Sequence, residues 1–142
     1  GHAEDYVKMQ WLMLQQEKAK DFVIATGKMV TVRKFIEICA LKLKWNKSPK
    51  GPGIIWEGEG IKEIGRRADT NEIIIRIDER YFRPTEVEEL KGDSSKALLK
   101  LGWKPRIKLD EMIEEMISED KNKALKESLL LKKGFKVENS FE

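Results

Sequence analysis

Residues 73–105 read "IIIRIDERYFRPTEVEELKGDSSKALLKLGWKP", which places an apolar run, an Arg-Pro pair and a short helix in succession. The three consecutive isoleucines favour a half-buried strand. Beyond the Arg-Pro pair, Asp93 or Ser94 can cap the start of a helix. Gly102 supplies a left-handed stop for that helix, and Pro105 prevents its continuation. This stretch therefore predicts a strand followed by a helix, and with it an α/β fold.

The rest of the chain predicts three more helices and two more strands. Helical spacing runs through "AEDYVKMQWLMLQQE" (Val7, Trp11 and Leu14, with Met13), through "VRKFIEICALKL" behind Thr31 as a cap, and from about Leu109 to Gly134. Short apolar runs predict strands at "DFVIAT" and "IIWEG", whereas "EGEGIKEIGRRADTNE" has no clear period and predicts irregular structure. The predicted order gives a small sheet with packed helices, and too few strands for a complete doubly wound sheet.

Composition limits the functional classes that fit this chain. Its 142 residues suit one domain, and 28 Lys and Arg interleave with 25 Asp and Glu, which gives no clustered positive charge for nucleic acid. No apolar run approaches the roughly 20 residues of a membrane span. Cys39 is the only cysteine, so no internal disulfide can form, and a reducing cytoplasm is the expected compartment. His2 is the only histidine, which argues against histidine-based metal sites and Ser-His-Asp catalysis.

The common dinucleotide and catalytic motifs are absent from the sequence. A Gly-x-Gly-x-x-Gly motif would need glycine at two positions that hold Trp56 and Glu63 instead. A Tyr-x-x-x-Lys pair fails as well, because Tyr6 and Tyr81 are followed four residues later by Gln10 and Thr85. We therefore predict no catalytic, cofactor-binding or metal-binding residue within this chain.

The Arg-Pro pair suggests an anion site. Pro84 restricts the backbone of Arg83 to extended conformations, which gives the guanidinium a fixed base. A guanidinium matches phosphate oxygens two at a time, and Glu86 is a candidate acceptor for ribose hydroxyls. Arg66 or Arg67 can add a second cation to the same anion. The alternative is that Arg83 forms a surface ion pair with a neighbouring glutamate, which contributes only about 0–1 kcal/mol.

Several ordered motifs together resemble one enzyme family. They are "GHAEDYVKMQWLMLQ", "DFVIATG" followed by "VRKFIE", "WEGEG", "IGRR", "RYFRPTEVEELKGDSSKALLKLGWKP" and "LDEMIEEMISED". In this order they are similar to the C-terminal part of the GDP-mannose 4,6-dehydratases, which are extended short-chain dehydrogenases/reductases. The resemblance covers residues 1–134, which we take as one substrate-binding subdomain, and leaves 135–142 as a tail.

The resemblance implies that the chain is a fragment lacking the NADP-binding Rossmann half. The members of this family are lyases. They convert GDP-mannose to GDP-4-keto-6-deoxymannose, on the route to GDP-fucose. The reaction proceeds by internal hydride transfer through NADP and loss of water. Its catalytic residues and its NADP site precede the segment matched here, so the 142 residues alone are expected to be inactive. Homo-oligomers are expected through the Rossmann half, with neither nucleic acid nor membrane as a partner.

The resemblance also assigns roles to individual residues. Arg83 would bind the nucleotide diphosphate and Glu86 the ribose hydroxyls, while Arg66 and Tyr81 are further candidates for nucleotide contact. GDP-linked manno-heptose remains open as a substrate beside GDP-mannose. A different class also remains open, in which the chain is a stand-alone nucleotide-binding or protein-interaction module that carries out no catalysis.

Overall fold

The computed structural model of the protein describes residues 1–82 and 90–136. Its helices are α1 (Ala3–Leu14), α2 (Val32–Lys42), α3 (Ser95–Leu101) and α4 (Leu109–Lys132), and its strands are β1 (Ile54–Glu57), β2 (Ile64–Arg67) and β3 (Ile73–Arg76). Two short 3-10 turns, Gly60–Lys62 and Glu79–Tyr81, follow β1 and β3. The structure confirms the predicted α/β class with a small sheet. No helix within the two described ranges has the length and apolar character needed to cross a membrane.

The three strands form one antiparallel sheet in the order β1-β2-β3. Trp56 of β1 lies opposite Gly65 of β2, which lies opposite Ile75 of β3. A Cβ atom on Gly65 would lie 3.1 Å from both the Trp56 ring and the Ile75 side chain. Glycine at this position therefore lets a large indole lie across the middle of the sheet.

Strand β2 lies inside residues 57–72, where the sequence analysis predicted irregular structure, so that prediction was wrong. The strand holds a glycine and two arginines and has no apolar alternation to identify it. It forms because it is the central strand and has hydrogen-bonded neighbours on both edges. Gly58 and Gly60 reverse the chain ahead of it with positive φ angles of 83° and 57°.

The predicted strand at "DFVIAT" was also wrong. Phe22 and Ile24 pack against the core while Val23 between them is 51% exposed, so the side chains alternate as in a strand. However, no backbone–backbone hydrogen bond joins residues 21–26 to the rest of the described chain. The segment has the side-chain pattern of a strand, but no strand among the described residues pairs with it.

Helix α1 is confirmed, but its buried face differs from the stripe that identified it. Met9 is fully buried with Ala97 and Trp103, while Val7, Trp11 and Leu14 are more than half exposed. Apolar residues occur on both sides of this helix, so their spacing identifies the helix without identifying its buried side.

Asp5 is the buried carboxylate that fixes α1 in place, with only 5% of its surface exposed. Its Oδ2 accepts hydrogen bonds from the backbone N–H groups of Arg106 and Ile107 at 2.9 and 3.0 Å. Its carbonyl oxygen accepts a third bond, at 3.0 Å, from the indole Nε1–H of Trp103. These bonds join the first helix to the loop between α3 and α4, about a hundred residues later.

A second small core lies between α2, α4 and the sheet. Ala40, Ile54, Ala68 and Ile113 are buried there. A Cβ atom on Gly53 would lie 2.7 Å from the Cβ of Ala40, so glycine permits the close approach of β1 to α2. The described residues therefore form two small apolar cores, one around Met9 and Trp103 and one around Ile113.

The predicted helix ends agree with the structure. The Asp93 carboxylate accepts a hydrogen bond from the backbone N–H of Ser95 at 2.9 Å, and Ser94 takes the cap position of α3. Gly102 ends α3 in the left-handed region with φ of 64°. Helix α4 begins at Leu109, as predicted, and Gly134 follows its end with φ of 84°. Most of the predicted tail lies outside the described residues.

The loop between α2 and β1 is held by a stacked ion pair. The Arg67 guanidinium lies 4.6 Å from the Trp45 ring centroid. It also donates two hydrogen bonds to the Asp69 carboxylate, at 3.0 and 2.8 Å. The hydrogen bonds from Arg67 lower the pKa of Asp69 below its ordinary value. The loop is therefore tied to β2 through a charged contact at the surface.

The first prediction concerns the buried carboxylate. Asp5→Ala leaves two backbone N–H groups without their acceptor, so the free energy of unfolding should fall by about 2–4 kcal/mol. Urea denaturation of the chain measures this change. The matched control is Asp120→Ala at an exposed position of α4, which should change stability by less than about 0.5 kcal/mol. Equal effects of the two substitutions would contradict the assigned role of Asp5.

The second prediction concerns pH. Because the folded state lowers the pKa of Asp69, its ionised form stabilises the fold at neutral pH, and this contribution is lost as the pH falls below about 4. Asp69→Asn should therefore lower stability at pH 7, and the difference from wild type should shrink toward pH 2. Urea midpoints measured at several pH values test this, with Asp120→Asn as the control. A difference independent of pH would contradict it.

Candidate functional site

Two of the four predicted site residues lie in the described structure. Arg66 lies in β2, and Tyr81 ends the 3-10 turn after β3. Arg83 and Glu86 lie outside the described residues. The first described range therefore ends at Phe82, the residue just before Arg83.

Arg66 is held by groups of its own hairpin. Its Nε donates to a Glu57 carboxylate oxygen at 2.9 Å, and its Nη1 donates to the backbone carbonyl of Asn71 at 3.2 Å. Asn71 adopts a positive φ of 65°, which brings this carbonyl into the turn between β2 and β3. A nucleotide phosphate at Arg66 would have to compete with a carboxylate that is already in place.

Arg67 does not add a second cation beside Arg66. Successive residues of a strand point to opposite faces of the sheet. Arg67 stacks on Trp45 and pairs with Asp69, whereas Arg66 pairs with Glu57. Each arginine of the "IGRR" segment therefore has its own carboxylate, and the two do not converge on one anion.

Tyr81 lies on a hydrogen-bonded turn that leads toward Arg83. The Asp78 carboxylate accepts a hydrogen bond from the backbone N–H of Arg80 at 3.0 Å and pairs with the Arg80 guanidinium. These side-chain and backbone hydrogen bonds from Arg80 lower the pKa of Asp78. The Tyr81 ring is 75% exposed, and the Arg80 guanidinium lies 5.5 Å from its centroid. The turn presents an aromatic surface to solvent two residues ahead of Arg83.

Arg66 and Tyr81 lie toward opposite ends of β3. Arg66 pairs with Ile73, the first residue of that strand, whereas Tyr81 comes five residues after Arg76, its last residue. Neither residue lines the grooves found beside α1 and along α4. Of the two, Tyr81 is therefore the one placed close to Arg83 along the chain.

The structure also groups polar residues that the sequence did not bring together. The Arg33 guanidinium of α2 lies 4.4 Å from the Trp56 ring centroid and forms an ion pair with Glu63. The indole Nε1 of Trp56 is buried and has no hydrogen-bond partner in the described chain. No sequence pattern indicates this group, because its members come from three separate elements. It holds α2 against the sheet.

Residues 1–82 and 90–136 show no arrangement suited to nucleophilic or metal chemistry. No group of three His, Cys, Asp or Glu side chains within them is placed to hold a metal ion. Cys39 is a half-buried free thiol whose pKa is raised by burial. A raised pKa lowers the population of the reactive thiolate.

Comparison with known proteins gives a consistent match. The family model described as GDP-mannose 4,6 dehydratase matches residues 1–116. The GDP-mannose 4,6-dehydratase of Yersinia enterocolitica is 46% identical over the whole chain and that of Vibrio cholerae is 44% identical, and in each case the match covers 39% of the relative. The human GDP-mannose 4,6 dehydratase is 46% identical over 84% of the chain and 30% of its own length.

The chain matches only part of the length of each relative. The chain spans about two fifths of the length of the bacterial relatives, and it corresponds to their C-terminal part. The matched region contains the hairpin that holds Arg66, the turn at Tyr81 and the Arg83 segment. Together, the family model and these identities show that this chain belongs to the GDP-mannose 4,6-dehydratase family.

Proposed function

We propose that this chain supplies the GDP-sugar-binding part of a GDP-mannose 4,6-dehydratase. The complete enzyme would convert GDP-mannose to GDP-4-keto-6-deoxymannose by NADP-dependent internal hydride transfer and loss of water. The observation that carries this proposal is the 46% identity to the Yersinia dehydratase along the entire chain. GDP-linked manno-heptose is a second possible substrate, because nothing in this part distinguishes the two sugars.

In this proposal, Arg83 binds the diphosphate and Glu86 accepts hydrogen bonds from the ribose hydroxyls. The turn at Asp78–Tyr81 supports these roles, because its hydrogen bonds and ion pair hold the backbone that leads into Arg83. Pro84 restricts the other side of Arg83. A chain whose backbone is restricted before binding loses less conformational entropy when its arginine binds a phosphate.

Tyr81 and Arg66 take lesser parts. The exposed Tyr81 ring can offer an apolar surface to the nucleotide near Arg83. Arg66 can reach an anion only by giving up hydrogen bonds to Glu57 and to the Asn71 carbonyl. Arg83 is therefore favoured over Arg66 as the main phosphate ligand.

The residues of 1–82 and 90–136 do not fit an NADP site. A pyrophosphate is bound by glycines at a strand-to-helix junction. Gly58 and Gly60 instead adopt positive φ angles in the turn between two antiparallel strands. We therefore assign NADP and the catalytic residues to the other part of the dehydratase, together with the contacts that form oligomers. No step of hydride transfer is assigned to residues of this chain.

The alternative class is a nucleotide-binding or interaction module that works without a catalytic partner. The paired states of Arg66 and Arg67 are compatible with it. The intact reading frame distinguishes the two. A glycine-rich strand-turn-helix and a Tyr-x-x-x-Lys pair elsewhere in the same protein would favour the dehydratase, and their absence would favour the module.

The third prediction tests Arg83 in the complete dehydratase that carries this sequence. Arg83→Ala removes a charged hydrogen bond of about 1.5–3 kcal/mol, so KM for GDP-mannose should rise roughly 10- to 150-fold. Steady-state kinetics measure this change. The matched control is Arg76→Ala, an exposed arginine at the end of β3, which should leave KM within about twofold. An unchanged KM for Arg83→Ala would exclude Arg83 from the site.

The fourth prediction concerns activity of the 142 residues alone. Because the NADP site and the catalytic residues are assigned to the other part, the purified chain should form no keto sugar from GDP-mannose with NADP present. Chromatography of the nucleotide sugars, with detection of the dehydrated product by mass, measures this. Dehydration by the purified chain would contradict the assignment.

A further inference from the structure

The second half of helix α4 is not packed against the rest of the described chain. Ile113, near the start of this helix, is fully buried, but none of residues 114–136 is buried. Leu125 and Leu129 lie one helical turn apart and are 62% and 60% exposed. Most of the stability of a helix in a protein comes from packing of its apolar face. In α4 this apolar face is open to a partner.

An open groove, which we call the α4 groove, runs along this face. Its two parts share Asn122 and Leu125 and so form one surface. Its apolar lining consists of Leu41, Ile117, Leu125, Leu129 and Leu130. Its basic lining consists of Lys42, Lys44, Lys121, Lys126 and Lys133. Glu114 also lines the groove and is paired with Lys42. The α4 groove therefore fits an amphipathic partner with acidic groups beside its apolar stripe.

Helix α4 itself carries acidic and basic groups at opposite ends. Residues 110–120 hold six acidic side chains and no basic one, whereas residues 121–136 hold six lysines and one glutamate. Steps of three and four residues keep positions on one face of a helix. Such steps connect Glu115, Ser118, Asn122, Leu125, Leu129 and Lys132. One face of α4 therefore changes from acidic through apolar to basic along its length.

We propose that the α4 groove binds helix α4 of a second copy of this chain, with the two helices antiparallel. The acidic end of each helix then faces the basic end of the other, and Leu125 and Leu129 of both copies form one apolar contact. The Glu115 side chain is 61% exposed, which leaves its carboxylate accessible to Lys132 of the second copy. A parallel pair would instead place like charges opposite each other.

This contact goes beyond the proposed function. The family model matches residues 1–116, so the family match does not account for Leu125, Leu129 or the lysines around them. The Yersinia relative matches the whole chain, whereas the human relative matches 84% of it. Pairing through α4 would add to the oligomer contacts that we assign to the other part of the dehydratase. No GDP-sugar takes part in it.

Sedimentation equilibrium of the 142-residue chain, without nucleotide, tests the pairing. The wild-type chain should form a dimer at micromolar concentrations. Leu125→Asp places a charge in the apolar contact and should weaken the dimer by roughly tenfold or more. Leu14→Asp is the matched control, because Leu14 is 82% exposed on α1 and not on α4, and this variant should dimerise as the wild-type chain does.

A charge exchange tests the antiparallel orientation. Glu115→Lys should weaken the dimer by roughly threefold or more, and the addition of Lys132→Glu should restore it. Positions 115 and 132 lie roughly 25 Å apart along a single helix, so they cannot pair within one copy. Restoration by the double variant therefore reports a contact between copies.

Four outcomes would overturn the proposal. They are a monomeric wild-type chain, equal association by Leu125→Asp and wild type, loss of the dimer in Leu14→Asp, and no restoration by the charge exchange. Binding of a monomeric wild-type chain to vesicles of anionic phospholipid would assign the face to a membrane surface instead.

Urea denaturation checks that each variant retains the fold. The charge exchange leaves every leucine in place, so it remains decisive if Leu125→Asp unfolds the end of α4. Because nucleotide is absent throughout, failure of the pairing would leave the proposed function intact.

Discussion

The carboxylate of Asp5 is the contact on which the arrangement of this fold depends. It joins α1 to the loop of residues 103–108 by accepting hydrogen bonds from two backbone N–H groups. The backbone carbonyl of Asp5 accepts a further bond from the Trp103 indole. Because the partners are about a hundred residues apart in sequence, these bonds join distant parts of the chain. They also set the rotation of α1, which decides that Met9 is buried and Leu14 exposed.

The sequence predicted elements with local signals and missed those that depend on distant partners. Consecutive isoleucines identified β3, and Asp93 with Gly102 identified both ends of α3, because caps act within one turn. The central strand β2 was missed because its stability comes from neighbours on both edges. The prediction of a strand at 21–26 was wrong because apolar side chains alone do not provide a hydrogen-bonded neighbouring strand. Asp5 resembled an ordinary first-turn acid, favourable to the helix dipole.

The candidate site likewise combines residues that the sequence names with partners that only the structure reveals. The sequence names Arg66 as a candidate nucleotide contact but does not reveal its partner Glu57, which is nine residues away and is brought close only by the strand register. Tyr81 was named from resemblance alone, and the structure adds that a charged turn holds it open to solvent. Arg83 and Glu86, which lie outside the described residues, remain predictions.

The two small cores are connected to each other through the loop that Asp5 holds. Helix α1 belongs to the core of Met9 and Trp103, whereas the turn at Asp78–Tyr81 follows the sheet on the core of Ile113. Helix α4 follows directly from the loop that Asp5 holds and packs on α2, which packs on β1. The loop that Asp5 holds therefore connects the core of Met9 and Trp103 to the sheet through α4 and α2. Holding the loop with a buried charge, and not only with apolar contacts, fixes its geometry by direction as well as by distance.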